Sequence, residues 1–292
     1  MEKKVIGVTR APTIQSVGQA YQEHVFFNYR GLGRQANPAI LASYAPAQNV
    51  APAGTQPSTG ARAHSGFECV TLLLQGQLEA RDSAGHAHTL AAGDVLWSGA
   101  GRGLLCEQRH GADLAREGGT LELINFWINL PAACKATDPH CQHLDAASLP
   151  ELPLPGDAGS MRVIAGEWQE QLGPAETVTP LQLWDLRLRA GRSVKLPLPL
   201  RWYGLLLVLQ GRVRLSFWQQ AIDARQLVLL DGGGDELAIE ADHDTRAVLL
   251  CSQPLDEPIV GADALVLNTE EQLAQAQRDV QSGAFGTLPD VA

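Results

Sequence analysis

One short unit occurs twice in this 292-residue chain, as Leu72-Leu73-Leu74-Gln75-Gly76-Gln77-Leu78 and again as Leu207-Val208-Leu209-Gln210-Gly211-Arg212-Val213. Each copy reads as an apolar strand, a Gln-Gly turn and an outgoing strand, and such self-similarity marks one supersecondary unit used twice. Two β domains fit the length, each large enough to bury a core. Phe67 to Leu74, Leu121 to Ile128, Leu183 to Leu188, Leu205 to Leu209 and Ala247 to Cys251 are short apolar or alternating runs bounded by Gly, Pro or polar residues, the pattern of sandwich or barrel strands. Arg212 to Phe217 alternates most clearly. The segment from Ala45 to Gly60, rich in Pro, Ala, Gly, Ser and Thr, is expected to be a loop. Leu149 to Gly156 carries three prolines and is expected to be an extended linker. These signals divide the chain into 1–148 and 157–292. The second part ends in a helix from Glu270 to Gln281, announced by Thr269 and Gln272 at capping-box spacing and by Leu273, Ala276 and Val280 on one face.

Two motifs flank the first copy of the repeat. The first is Arg62-Ala63-His64-Ser65-Gly66-Phe67-Glu68; the second runs from Gly93-Asp94-Val95-Leu96-Trp97 to Gly101-Arg102-Gly103-Leu104-Leu105-Cys106-Glu107-Gln108. Side chains two apart on a strand share a face, so Arg62 points with His64 and Cys106 with Gln108, while Ala63 and Glu107 turn the other way.

This pair of motifs resembles the cupin β-barrel, and the chain as a whole resembles the pirin family of bicupins. The likeness is carried in order by Asn37-Pro38-Ala39-Ile40-Leu41, His64-Ser65-Gly66-Phe67-Glu68, Arg81-Asp82-Ser83, Gly93-Asp94-Val95, Ala100-Gly101-Arg102-Gly103, Phe126-Trp127-Ile128-Asn129-Leu130-Pro131, Arg162-Val163-Ile164-Ala165-Gly166-Glu167, Glu257-Pro258-Ile259-Val260 and Asn268-Thr269-Glu270-Glu271. The resemblance implies an all-β fold of two cupin-type barrels with a short C-terminal helix. It also implies one iron-type metal in the first barrel, held by His-x-His and His-x-Glu. Those four ligand positions fall here on Arg62, His64, Cys106 and Gln108, and only His64 keeps the family's residue type.

Two readings of the site follow. In one, His64, Cys106 and Gln108 hold a divalent metal weakly or not at all, since a guanidinium stays protonated and repels a cation beside it. Arg62 and His64 then form a ligand-binding pair able to grip a carboxylate or phenolate, in a small-molecule or protein-binding regulatory protein. The alternative, also implied by the resemblance, is a metal-dependent dioxygenase of quercetinase type in which Glu107 or His110 takes the substrate hydroxyl proton. No residue is assigned as catalytic. Arg62 paired with Glu68, Glu107 or another acid and lining the barrel mouth is the plainer role for that residue. In the second repeat no His, Asp, Glu or Cys lies between Pro197 and Leu209, so the second barrel is expected to be metal-free and structural.

Elsewhere, Cys134, His140, Cys141 and His143 match no standard zinc spacing and are expected to be solvated in a loop. His86 and His88 are expected to be exposed near a hairpin turn, and Glu68 and Asp94 to have structural roles. A net charge of −10 without a basic run argues against direct binding to nucleic acid or anionic membrane. No apolar leader or membrane span is visible, and five irregularly spaced cysteines fit reduced thiols, which together point to the cytoplasm.

Overall fold

The computed structural model describes residues 1–10, 14–216 and 218–289. Strands dominate it. In chain order the first fourteen are β1 (Val5–Arg10), β2 (Ile14–Val17), β3 (Tyr21–Asn28), β4 (Ala39–Val50), β5 (Arg62–His64), β6 (Phe67–Gln75), β7 (Gln77–Asp82), β8 (Ala87–Ala91), β9 (Val95–Gly99), β10 (Leu104–His110), β11 (Gly119–Asn129), β12 (His140–Leu144), β13 (Glu151–Leu154) and β14 (Gly159–Ala165). All five apolar runs read from the sequence are strands. The alternating run is a strand over Arg212–Leu215, and Phe217 lies outside the described residues.

Two compact units divide the chain, and the division corrects 1–148 and 157–292 at both ends. Among the described residues one unit joins Met1 to Arg10 and Arg34–Pro38 to the stretch from Ala147 to Pro254, while the other joins Ile14 to Gly33 and Ala39–Ala146 to the stretch from Leu255 to Pro289. Hydrogen bonding explains the exchange. β1 pairs antiparallel with Gln226–Leu230 and becomes an edge strand of the later unit. The C-terminal hairpin, Val260–Ala262 with Leu265–Leu267, bridges from Leu265 to Ser65, and the helix Glu270–Ser282 packs Leu273 and Ala276 with Ala63 and Leu105. That helix carries the expected capping box, with Thr269 accepting from the Gln272 N–H.

The site-bearing unit is a sandwich of a seven-stranded sheet, ordered β12-β9-β6-β11-β4-β3-β2, and a four-stranded sheet, ordered β5-β10-β7-β8. Part of the expected loop from Ala45 to Gly60 is strand instead. β4 continues through Val50 because a register shift opposite Leu121 and Leu123 takes up the stretch holding Pro46, which has no N–H to give the ladder. The expected linker is likewise strand in part: β13 pairs with β14 at the sheet edge, where Pro153 is tolerated.

In the other unit the interior is filled by one apolar cluster, including Met161, Trp184, Leu186, Leu206, Val208, Val228 and Leu249, all essentially inaccessible. Close packing of that kind makes the interior between the sheets of this unit apolar.

Candidate functional site

The first repeat's unit encloses a cavity of about 120 Å³, many times the space one water needs. All four alternation-selected positions lie on its wall: Arg62, His64, Cys106 and Gln108. Register accounts for this. Cys106 of β10 stands opposite Arg62 of β5, and Leu104 opposite His64, while Ala63 and Leu105 face outward to the C-terminal helix.

The four side chains have unlike circumstances. Arg62 is exposed at the end of β5 and makes no ion pair among the described residues. The expected pairing with Glu68 or Glu107 does not form: Glu68 bonds His140, and Glu107 pairs with Arg81 at 2.7 Å. Arg62 also borders an outer groove of about 500 Å³ with Ala262–Leu265, Gln277 and Val280. His64 is buried, its ring 5.0 Å from Phe67 and 5.5 Å from Trp127. Its Nδ1 lies 3.4 Å from Cys106 Sγ, and its Nε2 is buried without a partner. Burial, reinforced by the charge of Arg62, drops the imidazole pKa to about 3. Burial also pushes the Cys106 thiol up, so both groups of the pair are neutral at physiological pH.

Gln108 is committed elsewhere. Its Oε1 accepts from the Tyr21 hydroxyl at 3.1 Å and its Nε2 donates to Thr71 Oγ1 at 3.0 Å; Thr71 donates to Asn125 Oδ1 at 2.7 Å, and Asn125 Nδ2 returns to the Tyr21 oxygen at 3.4 Å. Four side chains from β3, β6, β10 and β11 thus form a closed ring in which each gives and receives.

Beside the ring a row of inward positions, Leu41, Trp127, Cys69, Ser98 and Cys141, crosses β4, β11, β6, β9 and β12. Burial pushes the Cys69 and Cys141 thiols up to about 12 each. All five cysteines are free thiols. Among the sequence candidates, His110 ends β10 and is buried with Nε2 on the Ala20 carbonyl, outside the cavity lining. It is not placed to take a substrate proton.

The stretch expected to be a solvated loop is partly the edge strand β12, paired along β9. His140 sits over Gly99 and bonds Glu68 at 3.3 Å, which raises the His140 pKa, and Cys141 enters the cavity wall. His86 and His88 are also partly buried on that wall, His86 bonding Asp82 at 2.8 Å, because the turn after β7 folds back over the sheet. Outside the cavity, Asp94, His143 and Asp145 form, among the described residues, the one group of His, Cys and acidic side chains whose ligand atoms all lie within 4.8 Å. Burial alone would raise the Asp94 carboxyl, but the Ala91 N–H, His143 and the Ala146 N–H outweigh it and hold it low. Asp94 is therefore already tying two loop segments together.

Sequence reading missed Tyr21, Glu23, Thr71 and Asn125. Their signal was a polar residue at an inward position of an otherwise apolar strand.

Family models match at residues 19–128, described as pirin, and at residues 183–286, described as the pirin C-terminal cupin domain. A Pseudomonas aeruginosa protein named for a suspected quercetin 2,3-dioxygenase activity is 36% identical, with 97% of this chain and 98% of that protein covered. Human pirin is 30% identical over 76% of each chain. A crystal structure titled quercetin 2,3-dioxygenase from Acinetobacter baumannii superposes with a TM-score of 0.95 at 34% identity, covering 98% of this chain and 99% of that one. With both cupin domains matched and close relatives aligned almost end to end, this chain is a member of the pirin family.

Proposed function

We propose that the first barrel binds a small organic anion without a metal, making this chain a ligand-responsive or regulatory pirin-type bicupin. The observation that carries the reading is the unpaired guanidinium of Arg62 at the edge of a cavity that has a buried, partnerless His64 Nε2 on its wall. The family's metal does not fit this donor set. A fixed cation holds one ligand position, a protonated thiol the second, and an amide with both ends bonded the third. Only His64 Nε2 is a free donor atom, and a single imidazole does not hold a divalent ion against competing water and protein sites.

The same groups suit an anion. With thiol and imidazole both neutral, the tautomer in which Cys106 S–H donates to Nδ1 carries its ring proton on Nε2 and offers a second donor beside Arg62. Trp127 and Leu41 supply apolar wall for the body of the ligand. Benzoate tests this by calorimetry. It is expected to bind, with Arg62→Gln weakening it by about tenfold or more, since a charged hydrogen bond is worth about 1.5–3 kcal/mol. Protein purified without added metal is expected to hold clearly less than one iron, manganese or nickel per chain, and a chelator to leave benzoate binding unchanged.

The names of the relatives favour a second reading, a metal-dependent quercetin 2,3-dioxygenase. Quercetin turnover, or near-stoichiometric metal, abolished by His64→Ala would establish it in place of the first.

A further inference from the structure

Five formally charged side chains line the cavity: Glu23, Arg62, Arg81, Asp82 and Glu107. Two are paired as ions, and a third is bound by its own turn. Arg81 pairs with Glu107 at 2.7 Å; Asp82 accepts from the turn N–H groups of Ala84 and His86 and from the His86 ring. The two that remain, Arg62 and Glu23, have no ionic partner among the described residues and do not bond each other.

Glu23 is 6% exposed on β3, directed inward with Tyr21. Its contacts are with neutral donors: Ser43 Oγ at 2.6 Å and Gln15 Nε2 at 3.2 Å. A buried carboxylate held by neutral donors alone is a costly arrangement unless an opposite charge completes it. Arg62 stands on the facing sheet, and the space between is occupied at its walls by neutral groups, Tyr21, Cys69, Thr71 and Asn125.

We infer that the cavity's ligand is dipolar, a small aminocarboxylate whose anionic end meets Arg62 and whose ammonium end meets Glu23. This rests on the reading of the cavity as a metal-free anion site and adds the second point of recognition. Such a ligand restores pairing to both orphan charges at once, whereas a simple anion leaves Glu23 buried and uncompensated.

The probes are the ω-aminocarboxylates from glycine to 6-aminohexanoate and 3- and 4-(aminomethyl)benzoate, each titrated calorimetrically beside the carboxylate lacking the amine. At least one is expected to bind about tenfold tighter than its plain counterpart, the gain of a charged hydrogen bond. Glu23→Gln is expected to remove that gain while the plain carboxylates still bind at least as well as to the parent, which also reports an intact pocket. Plain carboxylates that bind through Arg62 with no aminocarboxylate gaining, or a gain that persists in Glu23→Gln, would overturn the dipolar ligand and leave the anion site standing. Failure of every carboxylate to bind would remove both.

Discussion

The hydroxyl of Tyr21 donates to Gln108 Oε1 at 3.1 Å, and this bond closes the four-membered ring that also holds Thr71 and Asn125. Gln108 occupies a position where the family resemblance calls for a carboxylate. A carboxylate accepts only, so it could accept from the Tyr21 hydroxyl but could not donate to Thr71. The amide serves the ring at both ends and braces β3 against β10.

Tyr21→Phe is expected to destabilise the protein by about 1–3 kcal/mol, because the half-buried Gln108 carbonyl and the buried Asn125 amide lose that partner. Gln108→Leu costs a similar amount for the same reason. Denaturant unfolding of both single variants and the double variant measures the coupling. The two effects are expected to be strongly non-additive, and additive costs would mean that the ring does not act as a unit.

The cavity thiols are expected to be unreactive in the folded protein. Cys69 and Cys141 are raised to about 12 by burial, Cys106 is raised as well, and Cys251 is buried, raised to about 12, in the other unit. The thiolate is the nucleophile, so a disulfide reagent at about pH 8 should modify at most one cysteine rapidly. That one is Cys134, in the short turn Ala132–Cys134, and Cys134→Ser should abolish the fast phase. Rapid modification of Cys106 would show that the His64 pair ionises.

Alternation along β5 and β10 was legible because both strands are short, lie next to glycine turns and follow a period of two without a bulge. The ring was not, since Tyr21, Thr71, Gln108 and Asn125 meet only after four strands have paired across two sheets. β4 and β12 were hidden by composition: Pro46 and the mixed polar run at His140 look like loop, and pairing with β11 and β9 overrides that local preference. The exchange of terminal segments left no local trace, because the pairing of β1 with Gln226–Leu230 is set by which edge is open. The plain apolar interior of the second repeat, by contrast, was readable directly from its lack of ligand side chains.

Lys135 is buried with its ammonium donating to the Gly66 carbonyl at 2.9 Å, Asn129 Oδ1 at 2.6 Å and the Val266 carbonyl at 2.7 Å, so it fastens the C-terminal hairpin to the starts and ends of β6 and β11. Lys135→Met should cost about 2–4 kcal/mol at neutral pH, since three buried acceptors lose the Lys135 ammonium. Burial lowers the Lys135 pKa from 10.5 to about 7. The unfolded chain keeps that proton up to its ordinary pKa, so between pH 7 and 10.5 the unfolded state binds more protons, and this group's contribution to stability rises with pH. Below pH 7 both states are protonated and the contribution is flat. Unfolding of parent and Lys135→Met across about pH 6 to 10 reads this slope as a difference; equal slopes would mean that the three acceptors hold the proton in the folded state.

Restoring the family's ligand types through Arg62→His, Cys106→His and Gln108→Glu together is expected to create a metal site. All four positions already line one cavity, and three imidazoles with a carboxylate suit iron, nickel, copper or manganese. Each single replacement should do little, because Arg62 alone keeps its charge at the site and the others alone supply too few donors. The triple variant should also be less stable than the parent without metal, by about 1–3 kcal/mol, since the carboxylate that replaces the Gln108 amide cannot donate to Thr71 and the ring opens. Adding metal should then raise its melting temperature while leaving the parent unchanged, because binding to the folded state alone adds stability by mass action. Calorimetric titration with nickel and manganese, beside thermal unfolding of both proteins, measures the two effects. A folded triple variant that takes up no metal would show that these strands hold the four positions too far apart for coordination, so that the cavity is shaped for a molecule and not an ion.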